Sequence, residues 1–156
     1  MRGSVTVWMN AAPEVVWDVV SDVTRIGEFS PETFEAEWAD GATGPVLGAH
    51  FRGHVKRNGI GPTYWSSCKV TACEPGSEFG FAVYAAGTRA NNWHYRLEPR
   101  DGGTEVTESF ELGTHPAFRV YAVLFGRARR RTNERGMRQT LERIKSVVEH
   151  EPRPTS

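Results

Sequence analysis

Apolar side chains fall on every second position through most of the chain up to residue 112, and at three- and four-residue steps after residue 116. Alternation belongs to strands, whose successive side chains point to opposite faces; the longer step belongs to a helix with one buried stripe. Val5, Val7 and Met9 alternate with Thr6 and Trp8, which predicts a strand over 5–9 with both faces partly covered. Pro13 starts a helix, because its fixed φ suits a first turn, and Glu14 lies near the positive helix end. Val15, Val16, Val19 and Val20 with Trp17 form the apolar face. Ser21-Asp22 then caps a second short helix ending by Ser30-Pro31.

From Thr33 onward the texture is short strands between turns. Strands are predicted over 34–39, 49–57, 64–73, 79–84, 91–98 and 106–112, which with the first makes seven. Asn58-Gly59 is a strong hairpin signal, the Glu74-Pro75-Gly76-Ser77 turn follows, and Asp101-Gly102-Gly103 joins the last two strands. A helix is predicted over 116–149, with Phe118, Ala122, Phe125, Met137, Leu141, Ile144 and Val148 as one inward stripe that Gly126 and Gly136 loosen.

Strand, two short helices, six strands and a long helix describe an α+β domain over residues 1–150 with a frayed tail over 151–156. Six successive strands make an antiparallel meander that curls, and the final helix is the one element long enough to cover its hollow. A curled sheet against one helix leaves a gap, and a lasting gap holds a ligand or opens to water. The apolar rows are assigned inward: Trp93, Tyr95 and Leu97; Phe79, Phe81 and Val83; Phe51, Gly53 and Val55, with Gly53 leaving room.

Composition narrows the picture little. The 156 residues, 38% hydrophobic and 24% charged, suit one globular domain. Nineteen basic and nineteen acidic residues give zero net charge, which argues against a nucleic-acid partner. No apolar run reaches the ~20 residues of a membrane span, so no stable membrane insertion is expected. Cys68 and Cys73 are five apart, which on a regular strand places them on opposite faces, unbonded. Two free thiols and no signal-peptide pattern point to the cytoplasm.

Candidate chemistry comes from strand parity. Glu108 shares a face with Val106, Phe110 and Leu112, so it points into the apolar side. A buried carboxylate has a raised pKa and can act as a general acid or base, or it makes a structural hydrogen bond to Tyr95 or the helix. Tyr64, Ser66 and Cys68 share parity with Val70, as ligand contacts or as core filler. His50, His54 and His94 take the outward parity, and His50 and His54 lie about 13 Å apart on a strand, so no metal site is assigned. No nucleotide-cofactor fingerprint is present, and no cofactor is expected. The arginines at 127, 129, 130, 131, 135 and 138 form either a solvated helix face or a site for an anionic ligand or acidic partner. Arg129 and Asn133 interrupt the apolar stripe where a ligand head group would sit.

The sequence resembles the SRPBCC superfamily, the START-like or helix-grip proteins, and within it the polyketide cyclase/dehydrase and lipid-transport group. The likeness covers nearly the whole chain. It rests on Val7-x-Met9-x-Ala11-Ala12-Pro13-x-x-Val16-Trp17, Ser21-Asp22 with Ser30-Pro31-Glu32, and Gly48-Ala49-x-Phe51-x-Gly53. Trp93-x-Tyr95-x-Leu97-Glu98-Pro99, Gly102-Gly103-Thr104-x-Val106-Thr107-Glu108 and Gly136-Met137-x-x-Thr140-Leu141-x-x-Ile144-Lys145 complete it. The resemblance implies a seven-stranded curved antiparallel sheet around a long C-terminal helix. Function must still come from the site. It implies a small hydrophobic or aromatic ligand, a lipid or polyketide-like metabolite, carried or sequestered in a cavity. Its contacts would be Phe51, Gly53, Tyr64, Ser66, Phe81, Trp93, Tyr95, Glu108, Phe110, Phe118, Phe125, Arg129 and Asn133. The alternatives are an aromatase/cyclase-type enzyme and a self-resistance protein that captures a natural product. In the enzyme Glu108 would move protons, Tyr64 or Tyr95 would polarise a carbonyl and Arg129 would orient the chain.

Overall fold

The computed structural model describes residues 1–56 and 61–150. Its elements run β1 (Arg2–Met9), α1 (Pro13–Ser21), a 3-10 helix (Val23–Glu28), β2 (Thr33–Ala39), β3 (His50–Val55), β4 (Tyr64–Glu74), β5 (Glu78–Ala85), β6 (Thr88–Arg100), β7 (Gly103–Leu112) and α2 (Pro116–His150). All seven strands form one curved antiparallel sheet in the order β1-β7-β6-β5-β4-β3-β2. β1 pairs with β7 at one edge of the sheet, and β2 forms the other edge. The expected Asn58-Gly59 hairpin, Arg57 and the tail 151–156 lie outside the described residues.

Local chemistry explains the helices. Pro13 stands at the start of α1, and Val16, Trp17, Val19 and Val20 bury its inner face. The Trp17 indole donates to the Glu78 carbonyl at 2.9 Å, fixing α1 to one end of the sheet. Asp22 accepts from the Thr24 amide at 3.1 Å and caps the second helix, which is a tight 3-10 turn.

The long C-terminal helix expected against the curved sheet is present, and it departs from the expectation only in how far its buried stripe extends. It runs beside β1: Gly126 lies near Met1, Glu134 near Gly3, Lys145 donates to the Trp8 carbonyl at 3.0 Å, and Glu149 accepts from the Asn10 amide at 2.8 Å. Met137, Leu141, Ile144 and Val148 are buried against β1, β7 and α1. The predicted stripe does not extend back through Phe118, Ala122 and Phe125. At 1.5 Å per residue the 35 residues of α2 reach about 52 Å, so its first turns overshoot the end of β1. Val120, Val123, Leu124 and Phe125 are 60%, 84%, 66% and 56% exposed there.

One strand bends away from its expected pattern. A bulge between Val70 and Ala72 in β4 lets Val70 face Phe81 and Cys73 face Phe79, so Cys68, Val70 and Cys73 share the inner side. Regular alternation would have separated the two cysteines; both are nonetheless free, five residues apart along an extended strand.

Candidate functional site

The register sorts the inward side chains into rows across the sheet. From the Met1 end inward, Asn91 lies between Val83 and Leu112, Trp93 between Phe81 and Phe110, and Tyr95 between Phe79 and Glu108; Leu97 faces Val106 in the next row. α2 packs chiefly against β1 and β7, and α1 against one end of β5 and β6, which leaves a space between α2 and the rest of the inner sheet face. A cavity of about 670 Å³ fills that space. Phe51, Cys68, Phe81, Val83 and Trp93 wall it from the sheet, and Gly136, Met137 and Thr140 from α2. Ser30 to Thr33, Arg129 and Thr132 border it toward the Met1 end, along with Ala85 and Ala86 of the β5–β6 turn.

Tyr95 and Glu108 form the floor. Glu108 is 4% exposed, and the Tyr95 hydroxyl donates to its Oε1 at 3.0 Å. Among the described residues its Oε2 has no hydrogen-bond partner. Burial pushes the Glu108 pKa up to about 8, against a downward pull from the Tyr95 hydrogen bond. Burial also raises the Tyr95 hydroxyl, with the neighbouring carboxylate adding to it. Glu108 is therefore mostly protonated at neutral pH. Since Oε1 already accepts from Tyr95, the acid proton belongs on Oε2. Asn91 Oδ1, two rows nearer the opening, is the other buried side-chain oxygen without a partner among the described residues.

The remaining expected contacts divide. Phe51, Gly53, Tyr64, Ser66, Phe81, Trp93, Tyr95, Glu108, Arg129 and Asn133 line the cavity. Phe110, Phe118 and Phe125 do not. Phe110 sits behind Trp93, ring centroids 5.6 Å apart, with its edge 2.8 Å from where a Cβ on Gly3 would be, so Gly3 is what lets it lie flat on β1. Phe118 and Phe125 belong to the overshooting turns of α2. Gly53 leaves less room than expected: a Cβ there would meet Thr33 at 3.2 Å and the Ser66 hydroxyl at 3.4 Å. Tyr64 is 45% exposed at the rim. Arg129 reaches across to Glu32 at 3.4 Å, tying α2 to the segment before β2.

His50, His54 and His94 point to the convex side. His54 stacks between Phe34 and Trp65 and pairs with Glu35 at 2.7 Å; His94 pairs with Glu78 at 3.0 Å. His115 accepts from the Ala117 amide at 3.2 Å and does not line the cavity. Burial drives the Cys68 thiol up to about 12, against a downward pull from Ser66, so it stays protonated and unreactive. Asn91, Met137 and Thr140 were missing from the expected site. Asn91 was within reach, because it continues the Trp93–Tyr95 parity by one step.

Residues 2–149 match the family model described as polyketide cyclase / dehydrase and lipid transport. Among solved structures, the chain is 32% identical to the Polyketide_cyc-like protein Cgl2372 from Corynebacterium glutamicum, with TM-score 0.64, covering 95% of this chain and 91% of that one. The di-domain ARO/CYC StfQ from the steffimycin biosynthetic pathway superposes at TM-score 0.74 with 11% identity, over 95% of this chain and 50% of StfQ. Ara h 8.0201 does so at TM-score 0.65 with 14% identity, over 97% and 99% of the two chains. No curated protein matches the sequence.

Proposed function

This chain belongs to the polyketide cyclase / dehydrase and lipid transport family, and from that premise we propose that it holds a small, flat, mainly apolar molecule in the cavity, as a carrier or sequestering protein. The occupant is a lipid or polyketide-like metabolite with a carbonyl at its inner end. The observation that carries this reading is Glu108 on the cavity wall, whose buried Oε2 has no hydrogen-bond partner among the described residues. Leaving such a group unpaired costs about 1–3 kcal/mol, which a ligand carbonyl would offset. An anionic head group would be repelled once Glu108 ionised, so the favoured ligand is neutral. About 670 Å³ lies within the range of small-molecule pockets, roughly 300–1,000 Å³. The Trp93, Phe81 and Phe51 rings suit a planar partner.

A dye of the propionyl-dimethylaminonaphthalene type, a flat neutral ketone whose emission moves to the blue in apolar surroundings, tests it. The protein should bind the dye with a blue shift, Glu108→Leu should weaken binding several-fold, and Glu108→Gln, which keeps a donor, should retain it. No blue shift, or equal affinity in the Leu variant, would rule the reading out.

The raised pKa of Glu108 favours one further reading, an enzyme of the cyclase/dehydrase type. An acid poised near neutral pH can give and regain a proton within one cycle. Glu108 would protonate the ketone oxygen as the carbon–carbon bond forms and recover a proton from the attacking carbon. Turnover of a poly-β-ketone that vanishes in Glu108→Gln while affinity persists would mark the enzyme; binding without turnover in the unaltered protein marks the carrier.

A further inference from the structure

The overshooting turns of α2 combine two unmatched features. Over 116–125 the helix carries Val120, Val123, Leu124 and Phe125 exposed to water, at 60%, 84%, 66% and 56%. Between Glu111 and Glu134 the chain has no acidic residue, yet it holds Arg119, Arg127, Arg129, Arg130 and Arg131. Arg129 pairs with Glu32 and Arg130 with Glu134, while Arg119, Arg127 and Arg131 make no ion pair among the described residues. The result is an apolar helix tip with an uncompensated basic collar.

We propose that this tip docks on an anionic lipid bilayer, its apolar turns entering the interface and the arginines resting among the phosphates. The geometry selects this occupant over folded partners. Val123, Leu124 and Phe125 are consecutive, about 100° apart around the axis, so no single groove accepts all three, whereas fluid hydrocarbon accepts every direction. A second copy would bring two arginine collars together with no acid in either segment. An acidic protein surface would match the collar and leave the tip in water. No described helix is long and apolar enough to cross a membrane, which fits shallow, reversible seating.

The tip also stands at the opening of the cavity. Leu112 donates to the Met1 carbonyl at 2.8 Å and Gly113 to the Ala90 carbonyl at 2.7 Å, so the start of α2, the end of β1 and the β5–β6 turn share one end of the sheet. Ala85, Ala86 and Tyr64, all exposed, line the cavity there. A bilayer seated on the tip would face the passage by which an apolar ligand enters.

Flotation with vesicles tests the docking without any knowledge of the ligand. The protein should float with phosphatidylcholine vesicles containing phosphatidylglycerol, do so weakly with phosphatidylcholine alone, and be released by salt. Val123→Glu with Leu124→Glu should lower the bound fraction about tenfold, with unfolding unchanged because both side chains lie in water. Arg127→Glu with Arg131→Glu should erase the preference for anionic lipid. Absence of flotation with anionic vesicles overturns the proposal, as does equal flotation by the Val123/Leu124 variant. Sedimentation showing a dimer that the same variant dissolves would overturn it too.

Discussion

Two residues apart on β7, Val106 and Glu108 face the same side of the sheet and belong to two different interiors. Around Val106 the space is filled: Met9, Val16, Val106, Leu141 and Ile144 are all fully buried, and α1 closes the end. Around Glu108 the same curved surface looks across about 670 Å³ of cavity toward Met137 and Thr140. The strands do not change character between the two rows. What changes is the cover. The C-terminal half of α2 crosses the filled end beside β1 and β7 with α1 closing it, whereas around Glu108 α2 stands off the sheet across the cavity. A cavity therefore arises in this fold where the helix leaves the sheet unmatched, and the proposed ligand would complete the ionisable group at its floor.

The comparison can be broken first by truncation. Leu141→Ala should cost about 2–5 kcal/mol in denaturant unfolding, as expected where neighbours cannot collapse into the space. Val83→Ala, on the hollow side, should cost under about 1 kcal/mol, because its side chain already borders a void. Equal costs would mean that the two interiors are alike.

Glu108 gives the next largest effect. Its carboxyl rises from 4.5 to about 8 on folding, so the folded chain binds more protons than the unfolded one between those values. The stability is fully present below about pH 4.5 and is lost as pH climbs through about 8, a decline on the order of a few kcal/mol. Glu108→Gln should flatten that slope, and unfolding midpoints measured across the range would show it.

The smallest effect belongs to Tyr95→Phe. Removing the hydroxyl deletes the hydrogen bond that lowers the Glu108 pKa, so the carboxyl should titrate still higher, while the buried ring keeps its place in the core. An unchanged titration would show that Tyr95 does not tune the acid.

Much of this was legible in the residues. Strict alternation in β7 aimed Glu108 inward, and the same parity set Trp93 and Tyr95 beside it. Spacing in 137–148 fixed which face of α2 is buried. Three things were hidden, each for a physical reason. The bulge in β4 inserts a residue without any glycine or proline to announce it, and so moved Cys73 to the inner side. Apolar periodicity in 118–125 looked like a buried stripe because sequence spacing does not reveal where β1 ends beneath the helix. Phe110 had the right parity and the wrong depth, since the close approach allowed by Gly3 lets it lie against β1 behind Trp93.

The most direct test follows the Glu108 carboxyl carbon by carbon-13 NMR through a pH titration, with and without the naphthalene ketone dye. The account predicts a midpoint near 8 in the free protein, moved higher by the dye because its carbonyl accepts the Oε2 proton, with other shifts confined to cavity residues such as Trp93 and Tyr95. A midpoint near the ordinary 4.5, indifferent to the dye, would contradict it.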